Sequence, residues 1–292
     1  MSVSSWFQQF CTNIQISNDN VSTIAYRYKR ITSQLNANYW NNNASETANS
    51  LYVGSYGRDT DIHVSDIDMI FRLPWDKHTQ YNNHSGNGQS ALIQEVKNIV
   101  LKTYSRTSVR GDGQVVVVEF SDDIRFELVP VFAYTDGSFC YPDTNNGGSW
   151  KTTNPKPEIQ AIKEANDNWN KNLKRLCRMA RAWKDNNNVN IKGILIDTLA
   201  YHFMSGWSYT DKSYLYYDYM SRDFFAYLYE ARNNYSGWEI PGSKETIYRD
   251  GVFTSKAKSA YDLCLLAIQK EKDYPTTAKR HWREIYGAEF PA

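Results

Sequence analysis

The sequence predicts an α+β protein in two parts: a mixed sheet with helices over residues 1–150 and a helical lobe over 151–292. The active site is expected in the cleft between them, a common place for a ligand. Three observations carry this. Strand-like apolar runs fall in the first half. Helix-period apolar spacing fills the second half with little strand signal. Between them, Asn145 to Pro157 is rich in Asn, Gly, Thr and Pro and reads as a linker or interdomain crossing.

Residues 4–38 read as helical, with Ile14, Val21, Ile24, Ala25, Tyr28, Ile31 and Leu35 at helical spacing and Asp19 or Ser22 as cap. Leu51-Tyr52-Val53 then enters a glycine turn, and Ser65 to Leu73 alternates as a strand that Pro74 ends. The helix Ala91 to Tyr104 presents Leu92, Val96, Ile99 and Val100 on one face. Val115 to Phe120 is β-branched, and Ser121-Asp122-Asp123 turns it back into Ile124 to Phe132 as a hairpin. Further helices are expected over 158–186, 191–206, 218–233 and 254–273.

Composition excludes several classes of function. Lys+Arg (33) balances Asp+Glu (32), so no global basic field argues for a constitutive nucleic-acid partner. No apolar run approaches the ~20 residues that span a bilayer. The N-terminus lacks the basic and apolar regions of a signal peptide, and a cytoplasmic location is expected. Cys11, Cys140, Cys177 and Cys264 lie far apart with no C-x-x-C pair, which fits neither a zinc site nor a disulfide framework.

The chemistry concentrates in Gly54-Ser55-Tyr56-Gly57-Arg58-Asp59-Thr60, followed by Ser65-Asp66-Ile67-Asp68. A small-residue turn brings backbone N–H groups onto phosphate oxygens, and the Ser hydroxyl suits the same anion. On a strand Asp66 and Asp68 point the same way, and Ile67 and Met69 face the core. Two adjacent carboxylates repel unless a cation sits between them, and Mg²⁺ carrying substrate phosphates resolves this. Glu127 stands in the apolar strand Ile124 to Phe132, on the side opposite to Phe126 and Leu128, with Arg125 and Val129. A carboxylate there is expensive unless paired or metal-bound. Pairing, with Arg125 or a surface lysine, and ligation of a metal are both open. The helix containing Leu173, Leu176, Cys177, Ala180 and Trp183 on one stripe carries Lys174 and Arg181 on its flank, either as a solvated basic face or as phosphate contacts.

The pattern Gly-Ser-Tyr-Gly-Arg-x-Thr through Ser-Asp-Ile-Asp, then Phe-Glu-Leu-Val-Pro at 126–130, resembles the cGAS/DncV-like nucleotidyltransferase (CD-NTase) family of bacterial antiphage signalling. The resemblance implies a polymerase-β-like nucleotidyltransferase core and a helical lobe that completes the nucleotide pocket. It implies synthesis of cyclic di- or trinucleotide second messengers from NTPs with release of pyrophosphate. Asp66, Asp68 and Glu127 match the catalytic, metal-binding carboxylates, for two Mg²⁺ ions that Mn²⁺ can replace. The third is Glu where several relatives carry Asp. Gly54 and Ser55 match the donor-phosphate turn, and Arg58, Thr60 and Ser65 are taken with it as nucleotide-binding. Arg181 stands where relatives often carry a triphosphate-binding Lys, with Lys184 as the other candidate. Lys192 lies where relatives carry a Ser. The implied partners are a product-binding effector and either an activator or a ubiquitin-like conjugation machinery; the last residues, Glu289 to Ala292, are expected to be free. Two other readings share these carboxylates: transfer to RNA, protein or a small hydroxylated acceptor, and a non-catalytic NTP sensor.

Overall fold

The apolar spacing near the N-terminus runs on across residue 17, but Ser17 becomes a helix cap. Its hydroxyl accepts the Asn20 N–H at 3.2 Å, so the expected single helix is two. The computed structural model describes residues 2–41, 45–64 and 66–292. In chain order these form α1 (Val3–Asn13), α2 (Asn18–Tyr39), β1 (Ser50–Tyr52), α3 (Gly54–Arg58), β2 (Ile67–Arg72), α4 (Trp75–Asn82) and α5 (Gly88–Thr103). Next come β3 (Ser108–Asp112), β4 (Val115–Glu119), β5 (Arg125–Ala133), β6 (Phe139–Asp143) and β7 (Ser149–Thr153). The remainder holds α6 (Pro155–Asn168), α7 (Asn172–Asn186), α8 (Gly193–Gly206), α9 (Tyr217–Glu230), β8 (Trp238–Glu239), β9 (Thr246–Ile247), α10 (Thr254–Lys270) and α11 (Pro275–Tyr286).

These elements divide into two units, residues 16–57 with 63–156 and residues 1–15 with 58–62 and 157–292. The division lies at 156/157 rather than 150/151, and two pieces of the first half go with the second unit. The reason for the first piece is aromatic packing. α1 buries Trp6, Phe7 and Phe10, and the Phe7 ring meets Trp282 at 5.0 Å and Phe290 at 5.2 Å between centroids. Ionic contacts hold the second piece, as shown below.

The sheet unit has the order β1-β2-β5-β4-β3, extended by β6 on β5 and β7 on β6. β2 and β5 run parallel; β1–β2, β3–β4, β4–β5, β5–β6 and β6–β7 are antiparallel. One face, with Ile67, Met69, Phe71, Phe126 and Leu128, packs beneath α2 and α5 against Ile24, Ile31, Leu92 and Val96. The 115–132 hairpin and the core placement of Ile67 and Met69 follow the expected alternation. The stretch 145–157 does contain the crossing between the units, at 156/157, but it is not an irregular linker. Its Thr and Trp residues make β7, and only the Asn-Gly run turns. Gly148, at φ +98, packs so tightly that a Cβ would lie 2.3 Å from Gln89 Oε1.

In the helical unit the helix expected over 158–186 breaks where Asn170 and Lys171 are left-handed, at φ 50 and 63. α11 was not expected. It packs Trp282 and Tyr286 edge-to-face with Phe7 of α1 and ties down the residues expected to be free: Phe290 is fully buried, and its carbonyl accepts from Arg283 at 3.0 Å. No helix among the described residues is long and apolar enough to cross a membrane.

Asp218 of α9, 4% exposed, lies against Glu271, which accepts the Trp282 indole N–H at 3.3 Å. Burial pushes the Asp218 carboxyl up to about 6; burial and then the Asp218 charge push Glu271 up to about 8. Both folded values exceed the ordinary carboxyl range near ~4. The native state therefore holds more protons than the unfolded chain between about pH 4 and 8, and stability falls as pH rises through that window. Glu271→Gln keeps the indole acceptor and removes one of the two charges. Thermal melts from pH 5 to 9 are expected to show a declining midpoint for the wild type and a flatter profile for the variant.

Candidate active site

Period-two alternation puts Asp68 on the sheet face away from the α2/α5 core, where Ile70 shares its side. The parallel register sets Asp68 directly beside Glu127 of β5, and Glu127 stands opposite Val117 of β4. Strands in a sheet lie about 4.8 Å apart, so these carboxylates are near neighbours and repel.

The glycine turn is built onto this pair. Gly54 opens α3 at φ +61, and a Cβ on it would lie 1.8 Å from Asp68 Oδ2. Only glycine lets the backbone come so close in that conformation. The Val53 N–H donates to the Asp68 carbonyl at 2.9 Å, and the Gly57 N–H to the Val53 carbonyl at 2.8 Å. Ser55 follows within the first turn of α3. The expected open turn is thus a single helical turn seated on a carboxylate.

Asp66 lies one residue before β2 and is exposed; Ser65 lies outside the described residues. Among the described residues no three of His, Cys, Asp and Glu are gathered as a ready-made metal cage. The hard carboxylate oxygens of Asp68 and Glu127, adjacent in register under the Gly54 cradle, fit Mg²⁺, which keeps several waters and is bound through one or two carboxylates plus substrate phosphates. Asp66, Asp68 and Glu127 are the residues that would hold it. Glu127 meanwhile forms an ion pair with Arg125, one of the two arrangements its sequence context allowed.

Arg58, Thr60 and Arg181 are expected on the nucleotide. The structure turns all three onto Asp197 of α8. Arg58 Nε donates to Asp197 Oδ2 at 2.9 Å, and the Thr60 hydroxyl donates to the same oxygen at 2.9 Å. Arg181 of α7 is bidentate, Nη1 to Oδ1 at 2.6 Å and Nη2 to Oδ2 at 2.9 Å. Asp197 is 1% exposed and both arginines 7%. Burial alone would raise the Asp197 carboxyl, but Arg181 and Arg58 outweigh it and hold it down at about 2. The flank of α7 is also engaged: Lys174 meets Asp59 at 3.1 Å, and Arg178 pairs with the same carboxylate and donates to its carbonyl at 2.9 Å. This fastening assigns residues 58–62 to the helical unit. The basic stripe on α7 is neither solvated nor turned outward; it grips protein.

Lys184, in the last turn of α7, is half-buried. Lys192 caps α8 with its side chain 68% exposed and meets Asp250 at 3.1 Å. The site residues thus form two groups: Gly54, Ser55, Asp68 and Glu127 on the sheet, and Arg58, Thr60 and Arg181 around Asp197. The sequence reading missed Asp197. Its signal was present in the run Leu195-Ile196-Asp197-Thr198-Leu199, an acid among apolar residues like Glu127.

Two substitutions test these groups. Gly54→Ala puts a methyl into Asp68 Oδ2 and is expected to displace the turn, lowering any activity that depends on this site by about a hundredfold or more with a smaller change in melting temperature. Arg181→Ala strips a buried carboxylate of its bidentate partner and is expected to cost about 3–5 kcal/mol. Urea unfolding measures the second; an unchanged midpoint would show that Asp197 is held without Arg181.

A family model described as the Second Messenger Oligonucleotide or Dinucleotide Synthetase domain (SMODS) matches residues 1–166, which include the whole carboxylate group and its turn. A probable cyclic nucleotide synthase of Bacillus cereus is 24% identical over 216 residues, 69% of this chain and 63% of that protein. The chain therefore spans less than two thirds of that relative. A cyclic AMP-AMP-AMP synthase of an Acinetobacter species is 23% identical over 258 residues, 82% of this chain and 71% of that protein. The structure of E. coli CdnC in complex with HORMA-deltaN has the same fold, with a TM-score of 0.63 at 16% identity, covering 95% of this chain and 94% of that one. With more than half of its length matched by the family model, the chain belongs to the second messenger oligonucleotide or dinucleotide synthetase family.

Proposed function

We propose that this chain is a nucleotidyltransferase that joins nucleoside triphosphates into cyclic di- or trinucleotide second messengers with release of pyrophosphate, in antiphage defence. The observation that supports it most is the Asp68–Glu127 pair seated against Gly54, inside the segment matched by a family of such synthetases. Two Mg²⁺ ions, replaceable by Mn²⁺, would supply charge neutralisation of the triphosphate and a lowered pKa at the acceptor hydroxyl. The chain's own residues do the positioning. The Gly54–Ser55 turn orients the donor phosphates through backbone N–H groups and the Ser55 hydroxyl. Asp68 cannot swing toward the turn, because Gly54 packs against its Oδ2, so its carboxylate is pre-oriented. Glu127 accepts the proton of the attacking ribose hydroxyl, which bonds to the α-phosphorus as the pyrophosphate oxygen leaves. Lys184 and Lys192 remain as further phosphate contacts; Arg58, Thr60 and Arg181 act as scaffold. The partners that go with this reading are a product-binding effector and an activator, the latter suggested by the HORMA complex of the E. coli neighbour.

The test incubates purified protein with each combination of labelled NTPs and Mg²⁺ and identifies phosphatase-resistant products by mass. Cyclic products are expected, and Asp68→Asn is expected to lose them by at least about a hundredfold. The variant should melt no lower than the wild type, because one of two repelling charges is gone. Bound NTP without turnover would establish a sensor, and labelled RNA or protein would establish a different acceptor.

A further inference from the structure

Arg125 precedes Glu127 by two residues on β5, so both side chains leave the strand on the same face. Their ion pair is partly buried, with the side chains 31% and 26% exposed. Arg125 has an alternative partner across the sheet, because Glu119 stands opposite it on β4. Glu119 is already taken by Arg110 of β3 at 2.6 Å. The Arg125 Nε is buried and has no hydrogen-bond partner among the described residues. The guanidinium is therefore committed to Glu127 through its terminal nitrogen, and Glu127 carries a counter-charge from its own strand.

We propose that Arg125 competes with the divalent cation for Glu127 and thereby sets how tightly this chain binds metal. The inference rests on Asp66, Asp68 and Glu127 being the metal ligands. Guanidinium and metal compete here: the guanidinium occupies Glu127 Oε1 and leaves a cation only the other oxygen, its positive charge opposes a second cation beside it, and Arg keeps that charge at every accessible pH. Arg125 is a positioning residue that screens Asp68 and Glu127 from each other until metal arrives with nucleotide, and ligation through both Glu127 oxygens requires it to swing away.

The test measures Mn²⁺ binding to the full chain by the electron paramagnetic resonance of the free ion, with and without a non-hydrolysable NTP analogue. Arg125→Gln is expected to tighten binding by about fivefold, the release of one partly exposed ion pair. Arg125→Lys should give a smaller gain, since a shorter-reaching point charge holds Glu127 less well. The control is Arg72→Gln. It removes the same charge from the Asp68 side of β2, where Arg72 bonds to Asn49 rather than to a carboxylate, and is expected to change binding less than twofold. Equal gains in Arg125→Gln and Arg72→Gln would reduce the effect to net charge and overturn the proposal, as would unchanged or weaker binding in Arg125→Gln. Wild-type protein that binds no Mn²⁺ in either series, or binding that survives Asp68→Asn, would instead remove the ligand assignment and the inference with it. Tightened affinity separates this role from a merely structural one, which predicts loss.

Discussion

One buried carboxylate organises the segment that follows the glycine turn. Asp197 satisfies two guanidinium groups and a hydroxyl that would otherwise be stranded away from water, and those groups sit on the segment 58–62 and on α7. A lone charge at 1% exposure is not viable. With Glu158 lying 3.7 Å from Arg58, two arginines face two acids and the cluster carries no net charge. The chain leaves the sheet at the end of α3 and cannot wander, because Asp59 is gripped by Lys174 and Arg178 in the next turns of the same helix. Residues 58–60 are therefore held within the helical unit by this network, and Gly54 is held within the sheet unit by its contact with Asp68.

The sheet has two chemically different faces, and register keeps them apart. A slip of one residue in β2 would place Ile67 and Met69 on the carboxylate side and drive Asp68 under α2 and α5. The valine-rich β4, buried at Val116 and Val118 on one side and at Val117 on the other, makes such a slip costly. The apolar alternation that builds the core thus also fixes the spacing of Asp68 and Glu127.

Local pattern was enough for β2, β4, β5 and α5, because their signals lie within a dozen residues: alternation, β-branching, a helical stripe. Strand alternation likewise predicts the sheet face of Asp68 and Glu127. Reading failed where a partner is distant in sequence. Arg58 and Thr60 find Asp197 at separations of 139 and 137 residues, and nothing near either residue announces it. β7 was missed for a different reason: its Ser, Lys and Thr residues resemble a loop until β6 supplies hydrogen bonds. The break between α1 and α2 turned on one hydroxyl, that of Ser17, rather than on any change in apolar spacing.

The packing of α1 bears on how the chain is made. Phe7 and Phe10 leave the ribosome long before the rings that cover them, Trp282, Tyr286 and Phe290. At bacterial-to-eukaryotic elongation rates of about 5–20 residues per second, an aromatic helix face waits roughly 15–60 s for its cover. The sheet unit, whose strands and helices all lie between residues 16 and 156, can close in that interval without it. The nascent helical unit consequently carries an uncovered aromatic face through that interval, the kind of transiently exposed apolar surface on which partly made chains associate.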